Sequence, residues 1–538
     1  MDPLYVVILI IFALIGAPLF AIFGAASMIL FGEQGTTTSV AFDVFSERFA
    51  DSPTLVTLPL FTFAGYLMAE SGTPNRLVRV SQALFGWMPG GLAIVCLVAS
   101  AFFTTFTGGS GITIVAIGGL LFPALLAEKY PEKFSLGLVT TGGSLGLLFP
   151  PSIPIVLYGV VAGILIDKLF LAGIVPGLIT VGLLMAYAAV VGGKRVKFEL
   201  EKAWCLARFS VGALVGGAVG LAGGAALGLG IAALRGQLGD GMVAAVMGYW
   251  PLMGVGMTVT GYFGGAAGCG DDEAKAALRE AVWEVLLPVF LLLGLATGVL
   301  RIHEAAAFTA LYVLVIEVFV YKDISISGDL PRVIKDSMTM LGAILAILAT
   351  ALGFTGYLIQ ARVPEMMVEW METFITSPFM FLFVLNIFLL VVGMLMDIFS
   401  AIVVVVPLIV PIARHFGIDP YHLGIVFLLN LEIGYLTPPV GLNLFIASFR
   451  FEQPVTRLYR SVLPFIGFLL IALVLTTYIP SLSTWLTGLV DSEDVDITNR
   501  EGEDDGDGTD GDGLDSLDDL DSADDLDSPD DLDSPDDL

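Results

Sequence analysis

Charged residues are scarce in this 538-residue sequence: Asp, Glu, Lys and Arg make up 14% of it, against 56% hydrophobic residues. A water-soluble domain carries about 25% charged residues. So few charges cannot cover a water-exposed surface, so soluble enzymes are excluded and no nucleic-acid partner is expected. The three cysteines lack metal-ligand spacing and are too few for a disulfide framework. The absence of a G-x-x-x-x-G-K-[S/T] phosphate loop excludes ATP-driven transport.

Long apolar runs occupy nearly the whole chain instead, and the mean hydropathy is +0.89. About 20 apolar residues in a helix span a bilayer. The sequence therefore predicts an all-α polytopic membrane protein that is embedded in a lipid bilayer and has no catalytic residues. The candidate spans are residues 4–30, 54–69, 91–106, 155–166, 169–192, 284–300, 305–321, 340–358, 378–396, 398–413, 423–446 and 462–480.

The formal net charge of −28 is concentrated at the C-terminal end. Residues 491–538 hold 23 Asp and Glu and one Arg, which leaves a net charge of −6 for the rest of the chain. This tail repeats DDLDSPDD and has too few apolar residues to bury a core, so it is predicted to be disordered. Ca²⁺ binding is the alternative, because DGDGTDGDG alternates oxygen ligands with glycine. The segment lacks the Glu that completes an EF-hand loop.

A basic loop and a Gly/Ala-rich segment lie near the middle of the chain. The loop Lys194–Arg208 carries five Lys and Arg residues, which predicts a cytoplasmic location. Residues 209–268 contain small residues at every fourth position, such as Gly216, Gly220 and Gly224, which lets membrane helices approach closely. The segment is therefore predicted to be a two-helix insert, with a re-entrant hairpin as the alternative.

An internal repeat emerges when the chain is shifted by 288 positions against itself. Pro150-Pro151 then falls on Pro438-Pro439, and Gly146 falls on Gly434. Each double proline follows a polar break in an apolar run, at 103–119 and at 392–406. Kinks are common in membrane helices, but four matched breaks are not explained as isolated kinks. Matched interruptions in two halves indicate the binding site of a secondary transporter.

The double prolines also indicate which ligands such a site would bind. Each removes two backbone N–H donors and disfavours helical geometry just before it. In an apolar interior the freed carbonyls need a partner, and a cation can be that partner. The positive end of the half-helix that follows favours an anion. The breaks therefore predict a site for a cation and a carboxylate together.

The ordered motifs of the chain resemble the large membrane (M) subunit of tripartite ATP-independent periplasmic (TRAP) transporters, in the ion transporter superfamily. The resemblance implies two inverted repeats with re-entrant hairpins and discontinuous helices, and an elevator-type transporter. It also implies a small four-helix membrane subunit and a soluble periplasmic substrate-binding protein as partners. The motifs are TGGSGIT with AIGGLLFP (107–123), GGSLGLLFPPSIPIVLYG (142–159), DKLFLAGIVPG (167–177), GMLMD (393–397) and GIDPYHLGIVFLLNLEIGYLTPPVGLNLF (417–445).

The resemblance divides the chain into four parts and implies Na⁺-coupled import of an organic carboxylate across the inner membrane. A self-sufficient Na⁺ or H⁺ carboxylate symporter of the same superfamily is the alternative. An intramembrane aspartyl protease is a remote alternative, since it needs a second Asp facing Asp397. The parts are a first repeat at 1–193 with its hairpin and broken helix at 103–159, a loop and insert at 194–280, a second repeat at 281–486 with its hairpin and broken helix at 392–447, and the acidic tail at 487–538.

The two repeats are expected to form two Na⁺ sites around one carboxylate site, with no other cofactor. Small residues suit these positions because backbone carbonyls, not bulky side chains, must reach the ion. The expected Na⁺-site residues are Gly108, Gly109 and Ser110 at one hairpin tip facing Gly143, Ser144 and Gly146, and Asp397 facing Gly434 and Thr437. The expected carboxylate contacts are Ser110, Pro151, Ser152, Pro439 and Asn443.

Four charged residues need separate interpretation. Asp397 lies in an apolar run and is a functional candidate by default, and a role in capping a re-entrant helix is compatible with that. Glu432 is equally consistent with a structural partner and with a part of the transport site. Glu70 and Arg76 follow an apolar run, so they are predicted to lie at the membrane interface.

The charge bias of the loops predicts the topology. Lys194–Arg208 should be cytoplasmic and residues 491–538 extracytoplasmic, since one further span follows the basic loop around Arg450, Arg457 and Arg460. Single cysteines placed in each segment and treated with a membrane-impermeant reagent in intact cells measure this directly. Labelling of the tail only after lysis would show that the assignment is wrong.

Overall fold

A computed structural model describes residues 17–33, 55–192, 276–296 and 300–488, together with residues 8, 11 and 12 and without residues 87, 89, 278 and 376. The Gly/Ala-rich insert at 209–268 lies outside these residues, and so does the acidic tail with its Ca²⁺ alternative. Residues 1–490 form one compact unit, to which all the helices described below belong.

The described residues are helical throughout their regular structure. Two of the helices contain a π-helical turn, at Ile114–Gly118 and at Ile316–Val320. The helices are α1 (Leu19–Glu33), α2 (Thr57–Glu70), α3 (Thr73–Phe85), α4 (Gly91–Thr107), α5 (Ser110–Ala127), α6 (Glu132–Gly142), α7 (Ile153–Ala162), α8 (Ile166–Gly192), α9 (Val282–Ala296), α10 (Ile302–Val320), α11 (Asp329–Gln360), α12 (Val363–Glu372), α13 (Pro378–Leu395), α14 (Ile398–His415), α15 (Pro420–Gly434), α16 (Leu442–Phe451) and α17 (Val455–Tyr478).

The order of the helices repeats at the 288-position shift found in the sequence. Helices α1–α8 correspond in order to α10–α17, and α9 precedes the second set. The contacts between the two sets are reciprocal: α1 packs against α11 as α10 packs against α2, and α6 packs against α17 as α15 packs against α8. Likewise α7 packs against α14, and α16 against the π-turn of α5. The two repeats are therefore interleaved around a shared core.

The helices are long and apolar enough for a multi-pass membrane protein. Among the described residues, seven could cross a bilayer by length and composition, or eight if the pair Glu132–Leu148 and Ile153–Ala162, bent by 44°, is one broken span. The predicted run at 423–446 is divided by the second double proline into α15 and α16. The seven are α5, α8, α10, α11, α13, α14 and α17.

A buried ion network joins α3, α9 and the end of α10. The Arg76 guanidinium lies 2.9 Å from a Glu317 carboxylate oxygen and 2.6 Å from one of Asp323, and it also contacts Glu284. The Glu284 and Glu317 side chains are 2% and 1% exposed. The guanidinium carbon also lies 3.8 Å from the centre of the Tyr321 ring.

The Arg76 side chain is only 11% exposed, and three carboxylates from distant parts of the chain surround it. Its location at the membrane interface stays a prediction. Glu70 does pair at the surface, 2.6 Å from Arg332. The sequence could not reveal the network, because its acids lie more than two hundred positions from Arg76.

Replacing Arg76 with Ala should lower the free energy of unfolding by about 3–5 kcal/mol, because it leaves buried carboxylates without a counter-charge. Arg79→Ala is the matched control: Arg79 pairs with Glu280 at the surface, where such a pair contributes about 1 kcal/mol or less. Thermal unfolding of the purified variants in detergent compares the two. Equal losses would contradict the stabilising role of the network.

Candidate functional site

The tip of the first hairpin is the turn between α4 and α5. Helix α4 ends at Gly108, whose φ of +60° favours glycine, and whose N–H donates to the Thr104 carbonyl at 2.8 Å. A Cβ on Gly108 would approach the Ile153 side chain to 2.7 Å. The glycine therefore permits both the left-handed turn and the close approach of the tip to the start of α7.

The first break separates α6 from α7. It runs through a 3₁₀ turn at Leu145–Leu148 and the cis peptide Pro150–Pro151. Its backbone lies against α4: the Thr104 hydroxyl is 3.0 Å from the Gly143 carbonyl oxygen, and the Thr105 hydroxyl is 3.3 Å from that of Gly146. Each hydroxyl is also closer to a carbonyl oxygen of α4 itself, that of Ser100 at 2.7 Å and that of Ala101 at 2.8 Å, so these contacts show that α4 and the break are tightly packed.

The structure brings the first hairpin tip and the first break together. A Cβ on Gly143 would lie 2.9 Å from the Ser110 carbonyl oxygen. At Gly146 a Cβ would lie 2.2 Å from the Ala101 carbonyl oxygen, inside α4. Ser110, Gly143, Ser144 and Gly146 are all buried. Small residues are needed here because backbone meets backbone.

The second hairpin turns at Asp397, between α13 and α14. The Asp397 side chain caps α14: one carboxylate oxygen accepts from the N–H groups of Phe399 and Ser400, each at 3.1 Å, and the other contacts the Ser400 hydroxyl. This is the capping role considered from the sequence. Asp397 itself is half-buried.

The second break separates α15 from α16 and contains the cis peptide Pro438–Pro439. Gly434, at its start, packs on Gly393, since a Cβ there would lie 2.6 Å from the Gly393 backbone. Thr437 donates to the Ile433 carbonyl at 2.8 Å. The hairpin and the break are joined through Tyr435, whose hydroxyl accepts from the Ile398 N–H. Asp397 therefore meets this break through its neighbour Ile398.

The polar side chains predicted to contact a carboxylate lie where elements of both repeats meet. Ser152 and Asn443 are fully buried, and neither the Ser152 hydroxyl nor the Asn443 amide has a hydrogen-bond partner among the described residues. The hairpin tip contacts α7 through Gly108, and it contacts α16 because a Cβ on Gly111 would lie 2.6 Å from Ile446. Buried polar groups are nearly always partnered, so these ones are available to a ligand.

The predicted prolines differ in their surroundings. Pro151 is buried at the first break, whereas Pro439 is exposed at the second. The Tyr459 hydroxyl donates to the Pro439 carbonyl at 3.1 Å, so part of that backbone is already partnered. Neither α7, which begins after Ser152, nor α16, which begins after Gly441, has a side-chain cap.

A hydrogen-bonded chain of buried side-chain amides in the second repeat was not predicted from the sequence. Asn430 donates to the Asn386 side-chain oxygen at 2.6 Å, and Asn386 donates to the Thr477 hydroxyl at 3.2 Å. The chain ties α15 to α13 and α17. Asparagines inside apolar runs were the available signal, because polar side chains join membrane helices by hydrogen bonds.

No group of three or more His, Cys, Asp or Glu side chains is arranged to hold a metal ion in the part of the chain that the structure describes. A cation at either break would therefore be held mainly by carbonyl and hydroxyl oxygens. This donor set suits a hard cation and gives no soft nitrogen or sulfur ligands. The arrangement defines a polytopic membrane carrier with two hairpins and two broken helices.

The carrier belongs to the family described as tripartite ATP-independent periplasmic transporter, DctM component, whose profile matches residues 6–482. The C4-dicarboxylate TRAP transporter large permease protein DctM of Pseudomonas aeruginosa is 31% identical over 86% of this chain and 91% of its own length. The protein of that name from Vibrio cholerae is 30% identical over 89% and 95%. The predicted family and the all-α polytopic fold are confirmed. The relatives are permeases, not enzymes.

Two further proteins resemble the chain at lower identity. The sialic acid TRAP transporter large permease protein SiaM of Vibrio cholerae is 28% identical over 82% of this chain and 87% of its own. A crystal structure of the YdaH transporter of Alcanivorax borkumensis is 14% identical, has a TM-score of 0.49 and covers 83% of this chain and 87% of that one.

Gly146→Ala should destabilise the protein by about 1–3 kcal/mol, because its Cβ would collide with rigid backbone atoms of α4 at Ala101 and Thr105. Gly467→Ala, in α17, is the control, since a Cβ there meets nothing within 4 Å. Thermal unfolding in detergent measures both. Gly146→Ala with wild-type stability would show that the hairpin and break are not packed as described.

Proposed function

We propose that this protein is the membrane permease of a Na⁺-coupled importer for an organic carboxylate. The supporting observation is the pair Ser152 and Asn443, whose buried polar groups have no partner among the described residues. Each lies at the start of a half-helix that follows a double proline. Each side chain could donate a hydrogen bond to a carboxylate, and this would offset the cost of burying it unpaired.

The electrostatics of the helix ends favour the same ligand. Because α7 and α16 begin without side-chain caps, their first free N–H groups can donate to an anion. Moving a bare anion through hydrocarbon is prohibitively costly. A co-transported cation removes most of that cost, and the carbonyl oxygens of the breaks are suitable ligands for it.

The names of the relatives indicate a broad class of substrate. Their names include C4-dicarboxylates, sialic acid and ectoine with 5-hydroxyectoine. We therefore propose dicarboxylates, sialic acid-like sugar acids, 2-oxo acids and zwitterions such as ectoine as the substrates to test. The family is described as tripartite. The proposed partners are accordingly a small four-helix membrane subunit and a soluble periplasmic substrate-binding protein, working at the inner membrane.

Uptake into vesicles tests the proposal. The protein would be reconstituted with a small TRAP membrane subunit, and labelled acids supplied with and without a TRAP substrate-binding protein. Uptake should require an inward Na⁺ gradient and rise more steeply than first order with Na⁺ concentration. Uptake driven by a proton gradient and indifferent to Na⁺ would overturn the proposal. Uptake without any binding protein would instead support the self-sufficient symporter.

Asp397→Asn should weaken the dependence of uptake on Na⁺ while leaving stability nearly unchanged, because Asn caps a helix as well as Asp does. Ser110→Ala should raise the Na⁺ concentration needed for half-maximal uptake several-fold. Initial rates at a series of Na⁺ concentrations measure both effects. Thr339→Ala is the control, since that exposed hydroxyl bonds only the Lys335 carbonyl of its own helix, at 2.7 Å. An unchanged Na⁺ dependence in Asp397→Asn would count against a role for this charge.

A further inference from the structure

Glu432 is a carboxylate without a partner in the core of the protein. Its side chain lies on α15 and is 0% exposed, and neither carboxylate oxygen forms a hydrogen bond with any described residue. The Ser144 hydroxyl is the polar side chain beside it. An isolated charge in such a place is very costly unless an opposite charge compensates it. No described residue supplies that opposite charge.

The position of Glu432 follows from the repeat. The shift of 288 positions that superposes the two double prolines also places Ser144 on Glu432. The 3₁₀ turn Leu145–Leu148, directly after Ser144, packs against α15. Two equivalent residues of the repeats therefore meet face to face. Glu432 belongs to the second repeat but directs its charge toward the first break.

Two buried hydroxyls lie at the end of α6 and in the turn that follows it. The Thr141 hydroxyl, three residues before Ser144, is buried without a partner among the described residues. The Ser144 hydroxyl donates to the Thr141 carbonyl at 3.3 Å, so its lone pairs remain available. A carboxylate beside a hydroxyl oxygen with free lone pairs is a set of ligands that suits a hard cation.

The first repeat has no acid of its own at this break. The same shift places Gly109 on Asp397, so the first hairpin tip carries no side chain where the second carries a carboxylate. The Asp397 carboxylate already caps α14. His422, which also lies on α15, already has a partner, since its Nδ1 lies 2.7 Å from the Ser483 hydroxyl. A cation at the first break would thus be a buried positive charge whose natural compensation is Glu432.

We propose that Glu432 is the anionic ligand of the cation bound at the first break, supplied across the repeat interface by the second repeat. Ser144 provides a hydroxyl oxygen to the same cation. A single carboxylate with neutral oxygens balances a monovalent ion such as Na⁺. This inference rests on the proposed Na⁺ coupling, and it adds the residue whose negative charge compensates the cation at the first break.

Binding of Na⁺ to the purified protein tests the assignment without any transport measurement. The thermal unfolding of the full-length chain would be followed over a series of NaCl concentrations, with choline chloride keeping the ionic strength constant. Glu432→Gln should raise the half-saturating Na⁺ concentration at least about tenfold, because it removes the only charged ligand. In choline alone it should be at least as stable as the wild type, since a buried amide costs less than an unpaired charge.

Two further variants complete the test. Ser144→Ala reaches the same site from the first repeat and should also weaken Na⁺ binding, even if Glu432→Gln does not fold. Glu304→Gln is the control: that exposed carboxylate accepts from the Arg301 N–H at 2.9 Å, at the start of α10, and its loss should leave Na⁺ binding unchanged.

The outcomes separate this inference from the proposed function. Equal destabilisation by Glu432→Gln in NaCl and in choline, or wild-type Na⁺ affinity in both Glu432→Gln and Ser144→Ala, would overturn the role of Glu432 alone. A wild-type protein that Na⁺ does not stabilise would overturn the proposed coupling as well. Loss of Na⁺ stabilisation in both variants, with the Glu304→Gln control unchanged, would support the assignment.

Discussion

Every interrupted helix in this protein must find partners for backbone groups that cannot turn to water. In an apolar interior an unpaired carbonyl or N–H costs several kcal/mol. At the first break the Gly146 carbonyl accepts from the Phe149 N–H at 3.1 Å, and the Thr104 and Thr105 hydroxyls of α4 lie 3.0 Å and 3.3 Å from the Gly143 and Gly146 carbonyl oxygens. Those hydroxyls can reach only because small residues let α4 and the break touch. The hairpin and the break therefore have to be packed as one unit.

Buried charges also need partners, and two regions of the protein differ in how these are supplied. In the α3–α9–α10 region, Arg76 is surrounded by carboxylates of Glu284, Glu317 and Asp323, so the buried acids are compensated within the protein. At the repeat interface, Glu432 has no such cation among the described residues. In the structural network, the acids have an opposite charge within the protein. A buried carboxylate without such a partner can, in a transporter, be compensated by the transported ion. The contrast distinguishes groups that hold the fold from groups available for function.

Much of the architecture could be predicted from the sequence, because it depends on local signals. Apolar runs give the spans, and the double prolines at Pro150 and Pro438 mark both breaks, where the structure does interrupt the helices. Charges that act over long distances along the chain could not be placed. Arg76 follows an apolar run, and the sequence does not show that its partners come from α9, α10 and the residues just after α10. Individual residues of the proposed ligand sites could be predicted from the sequence. The helices that pack against those residues could not.

The repeat also explains why its two halves are not chemically equal. Residues that correspond under the shift of 288 positions differ in charge: Gly109 corresponds to Asp397, and Ser144 to Glu432. Both acids lie in the second repeat, while the corresponding positions of the first are neutral. Because Ser144 and Glu432 face each other, the second repeat can compensate a cation on either side of the interface. Two cations bound beside the substrate carboxylate would then also lie near two fixed negative charges, those of Asp397 and Glu432. On the proposed function, interleaving the repeats is what lets one half supply the charge that both sites need.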